Sequence, residues 1–375
     1  MTAARRDVST TPLTERGKMW NNAAKSGDRA GRANGRGMNR EIGSVPCDAS
    51  RFCVAPMMDW TDRHCRVFHR AISRHALLYT EMVTAAALVR GGARHLLAHD
   101  AGEHPLAVQL GGAEPHELAA AARICAEEGF GEINLNVGCP SDRVQSGCFG
   151  AVLMERPALV ADCVAAMAAA APGAEITVKC RIGVDRQIPE AVLPGFLETV
   201  AAAGVRRFAI HARKAWLQGL SPRDNRTVPP LDHALVVAMK RRFAHLTIVI
   251  NGGIGTLDAA RAFLGQGLDG VMIGRAAYQT PYDLLARADR DIFGAPSPVP
   301  SRGEVLDRMR PFIADHLRAG GRLHAITRHM LGLYAGCPGA RQWRRILSEG
   351  AQRPGAGLDV LDAARAAVEP VAEAS

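Results

Sequence analysis

The order of apolar and polar positions predicts a repeating fold. From Arg51 onward, short apolar or β-rich segments alternate with Ala-rich segments of helical character, of which Ala119–Glu128 and Ala158–Ala170 are the clearest. Eight strands are predicted: Phe52–Ala55, Leu77–Glu81, Leu106–Leu110, Glu132–Val137, Ile176–Lys179, Arg207–His211, Leu246–Ile250 and Gly270–Ile273. Eight strands alternating with helices predict a TIM (β/α)8 barrel, an α/β fold. An open doubly wound sheet is the alternative, but no G-x-G-x-x-G follows the first strand.

The segments on either side of this pattern differ from it. Residues 1–49 are rich in Arg, Gly, Asn and Ser and poor in large apolar side chains, which predicts a disordered basic tail. The segment Pro296–Pro300 reads as a linker. Four predicted helices follow it: Arg302–Ala319, Leu323–Ala335, Ala340–Glu349 and Leu358–Ala367. We therefore expect a barrel over residues 50–295, a small helical domain over 296–367 and a short tail over 368–375.

Composition and charge narrow the class of protein. The chain has 375 residues, a formal net charge of +9 and nine cysteines. The basic balance suits a polyanionic partner without fixing a function. The cysteines form no C-x-x-C pair and no Cys/His cluster at metal-ligand spacing, so neither a disulfide framework nor a metal site is expected. We expect a cytoplasmic protein without a membrane span.

Polar residues collect where the predicted strands end, which is the functional face of a barrel. A lysine within a strand, Lys179, is expensive to bury without a negative partner, although it could also reach solvent at the rim. His211 alone could be structural. Glycine-rich turns follow strands seven and eight, where backbone N–H groups can approach an anion, and we expect a phosphate there. The residues of these turns are Asn251, Gly252, Gly253, Gly274 and Arg275.

The segment Glu132–Gly150 is the most informative stretch of the chain. Its strand breaks at Gly138-Cys139-Pro140, where the glycine permits a turn and the proline stiffens it. The thiol of Cys139 is therefore placed for chemistry, or it is one more small buried hydrophobic group. The residues alone leave these two interpretations even.

One predicted helix of the C-terminal region carries clustered arginines. Arg341 and Arg344 share a face, with Arg345 beside them and Trp343 between. Arg322, Arg328 and His329 lie upstream. Such a face is either simply solvated or binds RNA phosphates, with the tryptophan stacking on bases.

Several motifs together resemble one family. They are APMMDWTDRHCRVFHR at Ala55–Arg70, LYTEMV at Leu78–Val83, VQLGG at Val108–Gly112, NLNVGCPSDRVQSG from Asn134, VKCRIGVD at Val178–Asp185, HARKAWLQGLSP at His211–Pro222, INGGI at Ile250–Ile254 and DGVMIGRAAYQTP at Asp269–Pro281. In this order and spacing they resemble the tRNA-dihydrouridine synthases, in particular the A-type subfamily. The resemblance covers roughly Arg51 to Gly350.

The resemblance implies a flavin enzyme that reduces uridine to 5,6-dihydrouridine at tRNA D-loop positions 20 and 20a. FMN, reduced by NADPH or else NADH, delivers a hydride to carbon 6, and Cys139 donates the proton. The resemblance assigns flavin binding to Lys179, His211, Gln109 and the turn formed by Pro56, Met57 and Met58. Candidate substrate and tRNA contacts are Asn136, Arg143, Lys214, Arg223, Arg226, Arg341 and Arg344. We expect tRNA as partner, with no obligate protein partner.

Two features depart from the family pattern, and two rival functions remain. The basic tail lies outside the pattern, and Cys148 and Val152 fall where relatives vary, so Cys148 is a second candidate acid. One rival is a flavin barrel enzyme acting on a free pyrimidine such as dihydroorotate. The other is a non-catalytic RNA-binding protein built on the same barrel.

Overall fold

The computed structural model describes residues 48–141 and 149–369 and contains a parallel eight-stranded barrel in that part of the chain. The sheet order is β1-β8-β7-β6-β5-β4-β3-β2, and every pairing is parallel. The ring closes between the first two strands, where the Val54 backbone N–H donates to the Leu77 carbonyl over 2.9 Å. The strands are β1 Phe52–Val54, β2 Leu78–Thr84, β3 Leu106–Gly111, β4 Glu132–Val137, β5 Glu175–Arg181, β6 Arg207–His211, β7 Thr247–Asn251 and β8 Gly270–Ile273. The predicted barrel is confirmed.

Helices alternate with the strands and surround them. Those of the barrel are α1 Arg63–Ile72, α2 Ala85–Val89, α3 Pro115–Glu127, α4 Pro157–Ala170, α5 Pro189–Ala202, α6 His233–Arg242, α7 Leu257–Gly265, α8 Arg275–Gln279, α9 Pro281–Leu285 and α10 Ala288–Asp291. Their starts follow from local sequence. Helices α3, α4 and α5 begin with proline, whose fixed φ suits a first helical turn. The Asp62 carboxylate caps α1 by accepting the Cys65 backbone N–H over 3.0 Å.

Strand β4 shows why both faces of a barrel strand are buried. All six of its residues are buried, although apolar and polar side chains alternate along it. Ile133, Leu135 and Val137 belong to the main hydrophobic core. Asn134 and Asn136 bond instead to side chains of neighbouring strands. The alternation therefore separates a helix-facing side from a barrel interior, since a parallel sheet is covered on both faces.

Four further helices follow the barrel, as predicted. They are α11 Arg302–Arg318, α12 Leu323–Met330, α13 Ala340–Gly350 and α14 Leu358–Ala366. Helix α12 ends earlier than predicted, because residues 331–336 form turns that finish at Gly336 with a φ of +77°. Trp343 is fully buried and donates its indole N–H to the Met330 carbonyl over 3.1 Å. Its suggested role in stacking on RNA bases is therefore wrong, and it belongs to the core of these helices.

Two of the upstream basic residues join the C-terminal helices to the barrel. The Arg328 guanidinium donates to the Asp59 carbonyl over 2.8 Å and pairs with the Asp62 carboxylate. His329 is buried, lies 3.0 Å from Asp62 and also contacts the Tyr278 hydroxyl. Burial acts to raise the pKa of Asp62, but His329 and Arg328 hold it well below its usual range. Arg328 and His329 thus hold the helices against the loop after β1 rather than adding to a free basic surface.

Three predictions concern residues outside the described part. The basic tail, apart from its last two residues, the substrate contact Arg143 and the second loop thiol Cys148 all lie there. Among the described helices, none combines the length and the apolar character that crossing a bilayer requires.

Candidate active site

The Cys139 turn lies at the carboxyl end of β4 and is held by one side chain. The Asn136 amide oxygen accepts hydrogen bonds from the backbone N–H groups of Gly138 and Cys139, over 3.0 and 2.9 Å. The Cys139 carbonyl accepts from the Ala151 N–H over 2.9 Å. The thiol is partly exposed, with its sulfur 3.4 Å from the Ser141 hydroxyl. The Cys139 thiol is therefore held in place on a fixed turn and is not a core residue.

A ladder of side-chain hydrogen bonds runs through the barrel interior and supports Asn136. The Asn136 amide donates to Gln109, the Gln109 amide donates to Asn134, and Asn134 donates to the Thr177 hydroxyl, each over 2.8 Å. The Thr177 hydroxyl donates in turn to the Glu132 carboxylate over 2.8 Å. Each of these five side chains has at least one hydrogen-bond partner in the series, which restricts their movement. In the structure, Asn136 and Gln109 support the Cys139 turn. The contacts of Asn136 with uracil and of Gln109 with flavin stay predictions.

The end of the ladder furthest from Cys139 is a buried ion pair. Glu132 lies 3.2 Å from the Arg207 guanidinium and accepts the Tyr79 hydroxyl proton over 2.7 Å. Burial raises the pKa of the Glu132 carboxyl, while Arg207 opposes that rise. The ladder therefore begins in an anchored charge pair at one end of the barrel and reaches the Cys139 turn at the other.

Lys179 stands beside this turn, opposite Asn136 in the β4–β5 register. Among the described residues, no hydrogen-bond acceptor or carboxylate partners its ammonium group. Burial lowers the pKa of Lys179 to about 8, nearby Arg181 lowers it further, and the Cys180 and Cys139 thiols oppose the change. Lys179 itself is partly exposed at the barrel mouth, so its ammonium fits a site that receives an anion from a ligand.

His211 at the end of β6 packs on the glycine turn after β7. Burial, followed by Arg181 and Lys179, lowers the pKa of His211 well below its usual range, which favours the neutral form of its imidazole. Gly252 has a φ of +112°, and a Cβ there would lie 2.6 Å from the His211 ring. Only glycine allows both this backbone conformation and this contact. The preceding Asn251 donates its amide to the Met272 carbonyl over 2.7 Å, which ties the turn to β8.

The turns after β7 and β8 present unpaired donors. The backbone N–H groups of Gly252, Gly253, Gly274 and Arg275 donate to none of the residues that the structure describes. The Arg275 guanidinium donates to the Arg226 carbonyl over 3.1 Å. Two glycine turns with free N–H groups and an adjacent guanidinium are suited to a phosphate.

The turn after β1 approaches the same place. The Met57 N–H donates to the Thr61 hydroxyl over 3.0 Å, which fixes the turn. A Cβ on Gly274 would lie 3.6 Å from the Met57 sulfur, so this turn packs against the one after β8. Pro56 is partly exposed and Met58 is 54% exposed at the barrel mouth. Their contact with a flavin stays a prediction.

Arg181 was not identified from the sequence. It is buried, and its guanidinium donates to the carbonyls of Gly138, Lys214 and Asn225 over 3.0, 2.9 and 2.9 Å. Burial lowers the pKa of Arg181 to about 10. Arg181 thus joins the Cys139 turn to the loop after β6. Its position two residues after Lys179, on the same side of β5, was the sequence signal for it.

The basic residues of the loop after β6 fall into two groups. The Lys214 ammonium donates to the carbonyls of Asp185 and Gln187 over 2.8 and 3.2 Å, so it fastens this loop to the one after β5. Arg223 and Arg226 are exposed. Partial desolvation and then Arg275 lower the pKa of Arg226, and the Arg275 guanidinium also donates to the Arg226 carbonyl.

The arginines of α13 face solvent. Arg341, Arg344 and Arg345 are exposed, and none forms an ion pair with another described residue. Trp343 and Leu347 point from the same helix into the core. The helix therefore has a buried apolar face and an outward cationic one, and the tRNA contacts predicted for Arg341 and Arg344 stay predictions.

The residues at the barrel mouth fit a phosphate-bearing, anionic cofactor such as FMN. Among residues 48–141 and 149–369, Lys179 has no anionic partner, four backbone N–H groups have no acceptor, and the Arg213 Nε atom is buried without a hydrogen-bond partner. The charged neighbours that set the pKa of His211 are all cations: Arg181, Lys179, Arg213 and Arg226. The mouth is therefore positively charged and has unused donors. Fold and site together define a barrel enzyme with a cofactor site at the carboxyl ends of its strands.

Comparisons with known proteins give the family. The model of the family described as "Dihydrouridine synthase (Dus)" matches residues 53–369. Proteins named tRNA-dihydrouridine(20/20a) synthase from Vibrio cholerae and Pseudomonas aeruginosa are 55% and 53% identical to the chain. These matches cover 85% and 87% of the chain and 96% and 98% of the relatives. The chain belongs to the dihydrouridine synthase family.

Among solved structures, morphinone reductase and the old yellow enzyme from Trypanosoma cruzi are similar at lower levels. Their identities are 13% and 12%, and their TM-scores are 0.46 and 0.45. The matches cover 72% and 69% of this chain and 93% and 92% of theirs.

Proposed function

We propose that this protein reduces uridine to 5,6-dihydrouridine in the D-loop of tRNA, at positions 20 and 20a. The observation that carries the proposal is the juxtaposition of the Cys139 thiol, on a turn fixed by Asn136, with the unpartnered ammonium of Lys179. The names of relatives that are more than half identical over most of their length support the same substrate.

Residues at the barrel mouth would hold FMN. The N–H groups of Gly252, Gly253, Gly274 and Arg275 donate to no acceptor in the described part of the chain, so they could receive its phosphate. Lys179 and neutral His211 would contact its ring, and the charge of Lys179 suits the anionic reduced form. When bound, FMN supplies the hydride that is added to carbon 6 of the uracil. NADPH is the proposed reductant, with NADH the alternative.

Cys139 supplies the proton for carbon 5, which completes the addition of one hydride and one proton across the double bond. A thiol carries a proton that it can transfer to carbon as a general acid. Asn136 and Arg181 fix the turn that carries the thiol, which limits the positions the sulfur can occupy. The target uridine must leave its stack to reach this site.

The tRNA contacts are proposed for two cationic surfaces. Arg223 and Arg226 are exposed beside the barrel mouth, and Arg341 and Arg344 are exposed on α13. Guanidinium groups without internal partners are available to phosphates. We propose residues 296–367 as the tRNA-binding helical domain, and we expect the enzyme to act in the cytoplasm, where tRNA is modified.

Mass spectrometry of D-loop fragments tests this proposal. Dihydrouridine-free tRNA is incubated with purified protein, FMN and NADPH. We expect a gain of two hydrogens at position 20 or 20a. In parallel, stopped-flow reduction of the bound flavin by NADPH and NADH identifies the preferred reductant.

Cysteine variants assign the acid. Cys139→Ala should abolish or strongly slow the gain in mass, whereas Cys337→Ala should not. Cys337 is a matched control, because it is also a partly exposed free thiol but lies in the helical region. Undiminished activity of Cys139→Ala would move the acid to another group, with Cys148→Ala the next variant. No mass change with bound flavin would exclude the tRNA substrate and direct attention to free pyrimidines.

A further inference from the structure

Trp216 differs from the other tryptophans that the structure describes. Trp343 is fully buried, and Trp60 stacks on Tyr278 with ring centroids 4.3 Å apart. Trp216 is 37% exposed, and no aromatic ring stacks on it among the described residues. It lies five residues after His211, in the loop that follows β6. An aromatic side chain is therefore partly exposed to solvent at the carboxyl-terminal face of the barrel.

The backbone of Trp216 is fixed on both sides. Its N–H donates to the Asn225 amide oxygen over 2.7 Å, and its carbonyl accepts from the Asn225 amide nitrogen over 2.8 Å. Asn225 itself is fully buried. The following N–H, of Leu217, donates to the Asp185 carboxylate over 2.8 Å. This exposed ring is thus mounted on a rigid support, so little conformational entropy remains to be lost on binding.

The same support connects Trp216 to the catalytic turn. Arg181 donates to the carbonyl of Lys214, two residues before Trp216, and to that of Asn225. Its third bond goes to Gly138, the residue before Cys139. The distance between the ring and the thiol is therefore set by one buried side chain and short stretches of backbone.

The surroundings of Trp216 combine apolar surface and positive charge. Of the six large hydrophobic side chains that are exposed in the described chain, four lie on loops that follow β1, β5 and β6: Met58, Ile188, Trp216 and Val228. The Lys214 ammonium lies 5.3 Å from the centre of the Trp216 ring. Arg223 and Arg226 are exposed on the same loop. An aromatic surface among cations suits a nucleobase with its attached phosphate.

We propose that Trp216 is a stacking platform for a base of the tRNA next to the uridine that is reduced. Stacking on Trp216 would replace the neighbour that this base loses when the target uridine leaves the stack. The platform would thereby hold the D-loop in the opened conformation, with the uridine over the site and the flanking phosphates near Arg223 and Arg226. This inference rests on the proposed function and adds a binding subsite to it.

The test compares Trp216→Ala, Trp216→Phe and Leu96→Ala. Leu96 is a control because it is also an exposed apolar residue but lies away from the barrel mouth. Its neighbour Arg94 pairs with Glu127, the last residue of α3, and helices of such a barrel end at the side opposite the mouth. Steady-state kinetics with tRNA give KM and kcat, and filter binding gives the Kd for tRNA. NADPH oxidation without tRNA and the melting midpoint report whether the fold and the flavin site are intact.

We expect Trp216→Ala to raise KM and Kd for tRNA by roughly 5- to 150-fold, the range that removal of one base–aromatic stack produces. NADPH oxidation without tRNA should stay unchanged. Trp216→Phe should stay within about fivefold of the wild type, since it keeps an aromatic face. Leu96→Ala should match the wild type in every measurement.

Abasic substrates identify the stacked base. tRNA transcripts carry a single abasic nucleotide at successive D-loop positions flanking the target. At one position the substitution should weaken binding to the wild type but leave binding to Trp216→Ala unchanged, because the two changes remove one interaction.

Each outcome decides between the alternatives. Additive losses in affinity at every abasic position, or an unchanged Kd for Trp216→Ala, would refute the stacking role of Trp216. If the wild type still forms dihydrouridine in that case, the proposed function stands. Equal losses for the Ala and Phe variants would also overturn stacking. A wild type that forms no dihydrouridine would overturn both.

Discussion

Replacement of Arg181 by methionine should lower the free energy of unfolding and loosen the turn that carries Cys139. The guanidinium bonds the carbonyls of Gly138, Lys214 and Asn225, and it is 2% exposed. Methionine fills a similar volume but donates no hydrogen bond. Three buried carbonyl oxygens lose their charged donor, and the segment before Cys139 loses its attachment to the loop after β6.

The magnitude follows from two opposing contributions. Hydrogen bonds that involve a charged group stabilise by about 1.5–3 kcal/mol each, so three contribute roughly 4.5–9 kcal/mol. Burial of the guanidinium opposes this. The fall in the pKa of Arg181 from 12.5 to about 10 corresponds to a cost of about 3 kcal/mol. The net loss in the free energy of unfolding should therefore be about 2–6 kcal/mol.

Urea denaturation measures this loss, and alkylation of Cys139 followed by peptide mass spectrometry measures the release of the turn. The Arg181→Met protein should show a lower unfolding midpoint and faster alkylation of Cys139, with alkylation of Cys337 unchanged. The Arg181→Lys protein should lie between the wild type and Arg181→Met in both measurements, because one ammonium cannot reach three carbonyls in the geometry of a guanidinium. Arg206→Met is the matched control, since Arg206 is exposed and its side chain forms no ion pair with a described residue.

Two results would refute this reasoning. A loss in unfolding free energy below about 1 kcal/mol would mean that the three bonds do not outweigh the burial of the charge. Unchanged alkylation of Cys139 in a destabilised variant would mean that Asn136 alone fixes the turn.

Three further predictions concern other parts of the molecule. Double replacement of Arg341 and Arg344 by alanine should weaken tRNA binding without changing the melting temperature. The slope of the logarithm of the tRNA association constant against the logarithm of salt concentration should become shallower by roughly 0.7–0.9 per lost phosphate contact. An unchanged slope would show that α13 does not contact tRNA. Trp343→Ala should cost about 3–5 kcal/mol of unfolding free energy, measured in urea, because it empties a buried site; a near-neutral effect would contradict its core role. Burial lowers the pKa of His64 and His69 to about 4 and about 3. Each histidine therefore takes up a proton near pH 6.5 in the unfolded chain but only at lower pH in the folded chain. The free energy of unfolding should fall as the pH drops from 6.5 towards 4, by roughly 2.5 kcal/mol at pH 4.5 for the buried His69 and by less for His64, because its partial exposure screens the effect. Urea titrations at several pH values check this, and a flat profile over that window would contradict it.

Local sequence was sufficient for the elements and for part of the site. All eight strands and all four C-terminal helices lie where the pattern of apolar residues and the turn signals predict them. The polar strand ends also identified Cys139, Lys179 and His211 as neighbours at one face, because parallel strands bring their carboxyl ends together. Which side chains of a helix face the core was harder to predict. Trp343 lies within a run of arginines, and only the packing of α13 on the preceding helices shows that it faces inward.

The sequence by itself determined the barrel, the glycine turns and the polar residues at the strand ends, because strand and helix periodicity and backbone freedom are local properties. Tertiary structure alone decided how those groups are held. The Asn136 ladder, the Arg181 bridge and the support of Trp216 join residues from strands and loops that are far apart in the chain. Hydrogen bonds of this kind depend on atoms brought within about 3 Å by the closure of the barrel, and spacing along the sequence does not encode that distance.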